Sequence, residues 1–86
     1  MMADEIRATV VDCLLQVAPE VDRAEVETAL SFREELDLDS MDFLAFARSL
    51  HERLGVDVPE RDYPRIDALA SAAAYLAGRV SARGAS

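Results

Sequence analysis

The sequence predicts an all-α fold: a small bundle of three main helices plus one short helix, with a long loop between the first and second main helices. Three stretches of the chain carry apolar side chains at the 3.6-residue spacing of an amphipathic helix. The helix-ending residues Pro19 and Gly55 follow the first two stretches. Strand-like alternation is confined to a short connector at residues 56–59. We expect one domain, 1–86, with its core over about 4–80 and a frayed tail at 81–86.

The first helix is predicted over residues 4–18, because apolar side chains share one face there. They are Ile6, Val10, Cys13, Leu14 and Val17. From Pro19 to Asp39 no period is sustained, although residues 23–30 can form a short helical turn. We expect the apolar residues of this long loop to hold it across the bundle. They are Val21, Val26, Leu30, Phe32, Leu36 and Leu38.

The second helix begins with Asp39 as N-cap, and Asp42, three residues later, can complete a capping box. It runs to about Leu54, and Gly55 is placed to end it in a left-handed conformation. Helical spacing predicts which of its residues face the core. They are Phe43, Phe46, Ala47, Leu50 and Leu54.

The C-terminal third of the chain contains the last main helix. Residues 62–66 include Pro64 and allow at most one helical turn. The final helix is predicted to start near Asp67, which would serve as its N-cap. One apolar stripe marks its buried face. The stripe contains Leu69, Ala72, Ala73, Leu76 and Val80.

The charge balance limits the partners. Nine arginines and no lysine stand against seventeen acidic residues, which gives a formal net charge of -8. Nucleic acids and anionic membranes attract clustered basic residues, so we expect neither as a partner. Basic protein surfaces are the expected partners, and we expect a monomer. No signal peptide or transmembrane segment is recognisable, so a cytoplasmic location is expected.

No residue pattern indicates catalysis or a specific metal site. The single cysteine, Cys13, cannot form an intramolecular disulfide and lies on the core face of the first helix. His51 has no serine or cysteine at a spacing typical of a catalytic triad, so we expect a solvated helix residue. Asp37, Asp39 and Asp42 resemble part of a calcium loop, but the loop glycine and the bidentate glutamate are missing. The chain is therefore predicted not to be an enzyme.

An acidic run surrounds a serine at the start of the second helix. Between residues 34 and 42 five of nine residues are acidic and none is basic. Ser40 lies in the middle of this run, at the first turn of the helix, where free backbone N–H groups favour a phosphate. The neighbouring carboxylates do not favour that phosphate. Their expected use is to attract a basic partner enzyme to the site.

The run Leu36-Asp37-Leu38-Asp39-Ser40-Met41-Asp42-Phe43-Leu44 resembles the Asp-Ser-Leu signature of acyl and peptidyl carrier proteins, with Met41 in the leucine position. The resemblance extends over nearly the whole chain, through Gly55-Val56-Asp57-Val58-Pro59 to Ala74-Tyr75-Leu76. It implies a free-standing acyl carrier protein. Ser40 would receive 4′-phosphopantetheine from coenzyme A, and Asp39 would belong to the surface that the phosphopantetheinyl transferase reads.

The same resemblance implies a function in transport of intermediates. The chain would tether acyl or aminoacyl groups as thioesters and deliver them to separate acyl-loading and acyl-processing enzymes with basic docking surfaces. The Leu-Asp-Leu lead-in and Met41 favour a specialised polyketide or amino-acid-derived route over housekeeping fatty acid synthesis. The alternative is an unmodified acidic helical protein-interaction module, which shares every feature except the use of Ser40.

A second stripe of the second helix is the candidate docking face. Met41, Leu44, Ala45 and Arg48 lie outside the core stripe and close to Ser40. With Asp37 and Asp42 they complete the predicted docking residues. The other interpretation is that Met41 and Leu44 pack under the long loop or lie exposed without a partner. Arg48 departs from the apolar and acidic surface of many carriers. The sequence is compatible with cargo that is sequestered inside the bundle and with cargo that stays exposed, although Phe43, Phe46 and Tyr63 favour a filled core.

Overall fold

The computed structural model describes residues 3–84, and the side chains of residues 3–80. Over that range the chain is helical and contains no strand, so the predicted all-α bundle is confirmed. The elements in chain order are α1 (Ala3–Val17), α2 (Arg23–Thr28), α3 (Phe32–Glu35), α4 (Ser40–Leu54), a 3₁₀ helix (Glu60–Ile66) and α5 (Leu69–Gly84). α1, α4 and α5 are the three main helices.

α1 is the central helix and packs against both α4 and α5. Its predicted apolar face is buried, except that Val17 is only partly covered. Cys13 lies in this core with no exposed surface, as predicted, and burial raises the pKa of its thiol. Ser49 of α4 donates a hydrogen bond of 2.9 Å to Gln16 of α1, so this polar pair also joins the two helices.

The predicted core residues of α4 and α5 are confirmed. All five core residues of α4 are buried, and so are Leu69, Ala72, Ala73 and Leu76 of α5, whereas Val80 is partly buried. Gly55 has φ 69° and ends α4 in the predicted left-handed conformation. The ring of Phe46 meets the rings of Phe32 and Phe43 in edge-on contacts, with centroids 5.8 and 5.6 Å away. This aromatic cluster fills the space between α4 and the long loop.

The long loop departs from the prediction in two places. Leu30 was expected to hold the loop, but it is 87% exposed, because the adjacent residue Ala29 takes the buried position. The other apolar residues of the loop are buried or, for Val21, partly buried. The sequence pattern also missed α3. Ser31 forms its N-cap and accepts a hydrogen bond from the N–H of Glu34 at 3.3 Å.

Asp67 is not the N-cap of the last helix, so this prediction was wrong. It ends the 3₁₀ helix, and α5 begins two residues later, at Leu69. The Asp67 carboxylate instead accepts hydrogen bonds from the Ser31 hydroxyl at 2.6 Å and from the backbone N–H of Arg33 at 3.0 Å. The Phe32 N–H donates to the Asp67 carbonyl at 2.6 Å. Asp67 therefore ties α3 to the start of α5.

The 3₁₀ helix is longer than the single turn predicted for residues 62–66, since it covers seven residues. Pro59 precedes it, and Tyr75 of α5 donates a hydrogen bond of 2.8 Å to the Asp62 carboxylate. α5 continues to Gly84, past the predicted end of the core at residue 80. The side chains of residues 81–86 and the backbone of residues 85–86 lie outside the described part of the chain. The predicted fraying of residues 81–86 therefore stays a prediction, and so does the boundary of the single domain at 1–86.

Candidate functional site

The start of α4 has the predicted capping geometry. The Asp39 carboxylate accepts the Asp42 N–H at 2.8 Å, and the Asp42 carboxylate accepts the Asp39 N–H at 3.4 Å. This capping box confirms both residues in their predicted structural roles. Ser40 is the first residue of the helix and is exposed, with the positive end of the helix dipole beside it. The serine is therefore accessible and held on a rigid element.

The acidic run lies outward because the leucines between its acids point inward. Leu36 and Leu38 are each 8% exposed, whereas Asp37 and Asp39 are exposed. Asp37 has φ 57°, a left-handed conformation that aspartate tolerates better than most residues, and it turns the chain into α4. This turn sets the alternation that presents the acids to solvent beside the serine.

Glu35 has an internal use that the sequence pattern missed. Its carboxylate accepts the backbone N–H groups of Leu30 and Ser31 and so closes the loop before α3. The pattern treats all five acids of the run as equivalent. The structure divides them into Glu35, which braces the loop, Asp39 and Asp42, which cap α4, and two acids that extend freely into solvent.

The predicted docking residues follow the outer side of α4. Met41 is 73% exposed, Ala45 and Arg48 are exposed, and Leu44 is half-buried. The interpretation that Met41 packs under the loop is therefore wrong for this structure. His51 is exposed one turn further along, as predicted. α4 presents a mixed apolar and basic stripe beside the acidic loop.

A groove of about 570 Å³ lies next to Ser40, between the start of α4 and the 3₁₀ helix. Its walls are Arg33, Ser40, Met41, Phe43, Leu44, Glu60, Arg61, Tyr63 and Pro64. The Arg33 guanidinium stacks on the Phe43 ring, 4.7 Å from the centroid, and its Nε lies 3.5 Å from the Asp67 carboxylate. Of the predicted site residues, the groove brings together Ser40, Met41 and Leu44. Arg48 lines a separate, smaller groove that shares Leu44.

Sequence reasoning missed Arg33 and Arg61 as site residues. Arg33 directly precedes the acidic run, and that position was a usable signal. Arg61 is 21 residues from Ser40 in sequence and enters the site only through the packing of the 3₁₀ helix. No local pattern around Arg61 indicates this position.

Comparison with known proteins identifies the family. The family model described as "Phosphopantetheine attachment site" matches residues 8–76. An acyl carrier protein of Rubrobacter xylanophilus is 34% identical over 56 residues, which cover 65% of this chain and 69% of that protein. An acyl carrier protein of Lactobacillus johnsonii is 29% identical over 56 residues, covering 65% and 70%. The chain belongs to the acyl carrier protein family. As an acyl carrier protein it is a carrier and not an enzyme.

Acyl carrier proteins hold a covalently attached 4′-phosphopantetheine prosthetic group. The structure fits such a group, because the exposed serine at the start of α4 adjoins a groove with two arginines. Proteins of this family interact with phosphopantetheinyl transferases and acyl-processing enzymes. Within residues 3–84 no helix is long and apolar enough to cross a membrane.

Proposed function

We propose that Ser40 carries the 4′-phosphopantetheine arm and that the chain delivers acyl or aminoacyl thioesters to separate biosynthetic enzymes. The hydroxyl groups of the matched region support the choice of Ser40. Four serines lie in residues 8–76, and the hydroxyls of three make internal hydrogen bonds. Ser31 donates to Asp67, Ser49 to Gln16 and Ser71 to a backbone carbonyl. Among the described residues the Ser40 hydroxyl has no hydrogen-bond partner, and this observation carries the proposal.

Among the described residues no carboxylate accepts a hydrogen bond from the Ser40 hydroxyl, and no histidine lines the groove beside it, so we propose that the transferase activates the serine. In the proposed reaction the Ser40 Oγ attacks the phosphorus that bears the pantetheine of coenzyme A. An Oγ–P bond forms, the bond to 3′,5′-ADP breaks, and the hydroxyl proton passes to a base of the transferase. Asp39 and Asp42 hold the first turn of α4 rigid, so the hydroxyl is presented in a fixed place.

We also propose that visiting enzymes dock on the outer face of α4 and on the acidic run. The docking residues are Asp37, Asp39, Met41, Asp42, Leu44, Ala45 and Arg48. Exposed carboxylates steer a basic partner, and the 73% exposed Met41 offers an apolar contact next to the arm. We further propose that the carrier acts as a free-standing monomer in the cytoplasm.

For the cargo we propose a specialised polyketide or amino-acid-derived route. The packing of the aromatic rings supports this choice, because Phe43 is 1% exposed, Phe46 is fully buried, and a long alkyl chain would have to displace these rings to lie between α4 and the long loop. Isolation of the protein from its native cell and identification of the thioester by mass spectrometry tests the route. Recovery of a series of long saturated acyl chains would contradict it.

The attachment site is tested by intact mass after incubation with coenzyme A and a broad-specificity transferase. We expect a gain of one phosphopantetheine unit in the wild-type chain and in Ser71→Ala, which removes an exposed serine of α5, and no gain in Ser40→Ala. Loading of Ser40→Ala would disprove the assignment. No gain in the wild-type chain with several transferases would favour the alternative, an unmodified acidic interaction module.

A further inference from the structure

The outer stripe of α4 changes character along the helix. Four of its residues follow one another on one side of α4 at helical spacing. They are Met41, Leu44, Arg48 and His51. Arg48 comes eight residues after Ser40, which is about 12 Å along the helix axis. The stripe is therefore apolar next to the serine and carries a cation at its far end, whereas the start of α4 is acidic.

The Arg48 guanidinium is not neutralised by the rest of the protein. Within residues 3–80 no side chain forms an ion pair or a hydrogen bond with it. Neither Glu52, one turn further along α4, nor Asp57 in the connector pairs with it. Four other arginines do pair with aspartates. They are Arg23, Arg33, Arg53 and Arg79. Arg48 is thus an available cation on the face where enzymes are proposed to dock.

A small groove lies beside Arg48. Its volume is about 260 Å³, which is below the range of about 300–1,000 Å³ that small-molecule sites occupy. Leu44 and Val58 contribute apolar wall, and Arg48, His51 and Asp57 contribute polar groups. A guanidinium presents a planar set of N–H donors that suits a carboxylate. The groove therefore fits one acidic side chain of a protein and is too small for a larger ligand.

Burial on docking decides the sign of the partner's charge. A protein that covers Met41 and Leu44 also covers Arg48, because the three share one stripe. Removing a cation from water without an acceptor is unfavourable, and a second cation opposite it is more unfavourable still. A carboxylate on the partner offsets this loss of hydration. The same requirement applies to every enzyme that covers this stripe.

We propose that the enzymes served by this carrier place an aspartate or glutamate against Arg48, in the small groove, and basic residues against the acidic run. The inference rests on the proposed docking on the outer face of α4 and adds the charge pattern of the partner. That pattern is basic near the entrance of the partner's active site and acidic about 12 Å away. The two opposite contacts fix the orientation of the carrier, because a carrier rotated by half a turn would bring like charges together.

The experiment uses the carrier with its arm attached, verified by intact mass, and the purified enzyme that charges the arm with cargo. The measured quantity is kcat/KM for thioester formation. We expect it to fall about tenfold in Arg48→Gln and further in Arg48→Glu, where two acids would face each other. Arg65→Gln and Arg65→Glu are the matched controls, with an expected change below about twofold. Arg65 is exposed on the 3₁₀ helix and lines neither groove.

The sign of the change separates an acidic from a basic partner surface. If the surface opposite α4 is basic throughout, Arg48→Glu adds an attractive charge and raises kcat/KM, and that result overturns the proposal. Equal effects at Arg48 and Arg65 also overturn it, because net charge alone would then explain them. So does a carrier that light scattering shows to be a dimer and that Arg48→Glu converts to a monomer, since a second copy would then cover this face.

Leu44→Glu, measured in the same assay, separates this inference from the docking on which it rests. A loss in Leu44→Glu without a loss at Arg48 leaves docking on α4 intact and overturns the acidic partner. No loss in either variant overturns both. A chain that never acquires the arm overturns the attachment at Ser40 as well. Losses in Leu44→Glu and at Arg48, with unchanged Arg65 variants, support the acidic partner.

Discussion

Replacement of Asp67 by alanine tests the contact that joins the long loop to the last helix. The Asp67 side chain is 17% exposed, and its carboxylate accepts hydrogen bonds from the Ser31 hydroxyl and from the Arg33 N–H. It also pairs with the Arg33 guanidinium at 3.5 Å. The substitution removes all three contacts at once, and α3 keeps only the backbone hydrogen bond from the Phe32 N–H to the carbonyl of residue 67. We expect a large loss of stability and a shift of Arg33 away from the groove.

The magnitude follows from the exposure of each contact. The hydrogen bond to Ser31 is partly buried and links a hydroxyl to a charged group, for which we take about 2 kcal/mol. The Arg33 N–H is exposed and can bond to water instead, so its loss costs about 1 kcal/mol. The ion pair, with Arg33 40% exposed, adds at most about 0.5 kcal/mol. The free energy of unfolding should fall by about 3 kcal/mol, which lowers the melting temperature by more than about 10 °C in a domain of this size.

The assay is urea denaturation followed by circular dichroism, with Asp57→Ala as the matched control. Asp57 is exposed in the connector after α4, so the control changes the net charge equally and breaks no described contact. A loss within about 0.5 kcal/mol for Asp67→Ala, as for ordinary surface substitutions, would refute the reasoning. A double-mutant cycle with Ser31→Ala should give a coupling free energy above about 0.5 kcal/mol, since the two side chains are in direct contact.

Two further predictions concern docking and pH. Leu44→Glu should leave the fold intact and lower the kcat/KM of the transferase for Ser40 about tenfold, because a half-buried apolar contact is lost. The control is Leu30→Glu, at an exposed leucine outside α4, which should leave this kcat/KM unchanged. Equal effects of the two substitutions would contradict docking on α4. Burial, followed by the hydrogen bond to Asp62, raises the pKa of Tyr75 above its ordinary value of 10.0. The stability that the neutral hydroxyl contributes is thus present below pH 10.0 and is lost as the pH rises through the raised value. Tyr75→Phe should be less stable than wild type by about 1 kcal/mol near neutral pH, and urea titrations should show the difference closing in strong alkali; a constant difference would exclude this linkage.

The elements with a strong local signal could be predicted from the sequence. Asp39 and Asp42 form a capping box over four consecutive residues, and Gly55 ends α4 in the conformation that glycine adopts without steric cost. The core face of α4 follows from helical spacing alone, since side chains three and four residues apart share one face. These rules act within one or two helical turns, so no knowledge of the partner helices is needed.

The errors occurred where long-range contacts decided the outcome. Aspartate is a residue type that favours N-cap positions, but the Asp67 carboxylate accepts a hydrogen bond from the Ser31 hydroxyl, 36 residues earlier. A rule based on neighbouring residues does not include such a long-range partner. Leu30 is apolar and still exposed, because the turn before α3 places Ala29 inside and is closed by Glu35. Hydrophobicity predicts an average tendency to be buried, whereas the backbone path of an irregular loop decides each position.

For the proposed site, the serine, its caps and its acidic neighbours were determined by the sequence itself, because all of them lie within one short run around Ser40. The groove beside Ser40, which two arginines line, was decided by the tertiary structure. Arg33 comes from α3 and Arg61 from the 3₁₀ helix, and only the packing of both elements against the start of α4 brings their charges next to the serine. A charge cluster built from separate elements depends on how those elements pack. The order of residues in the sequence does not give the distance between their side chains in the folded protein.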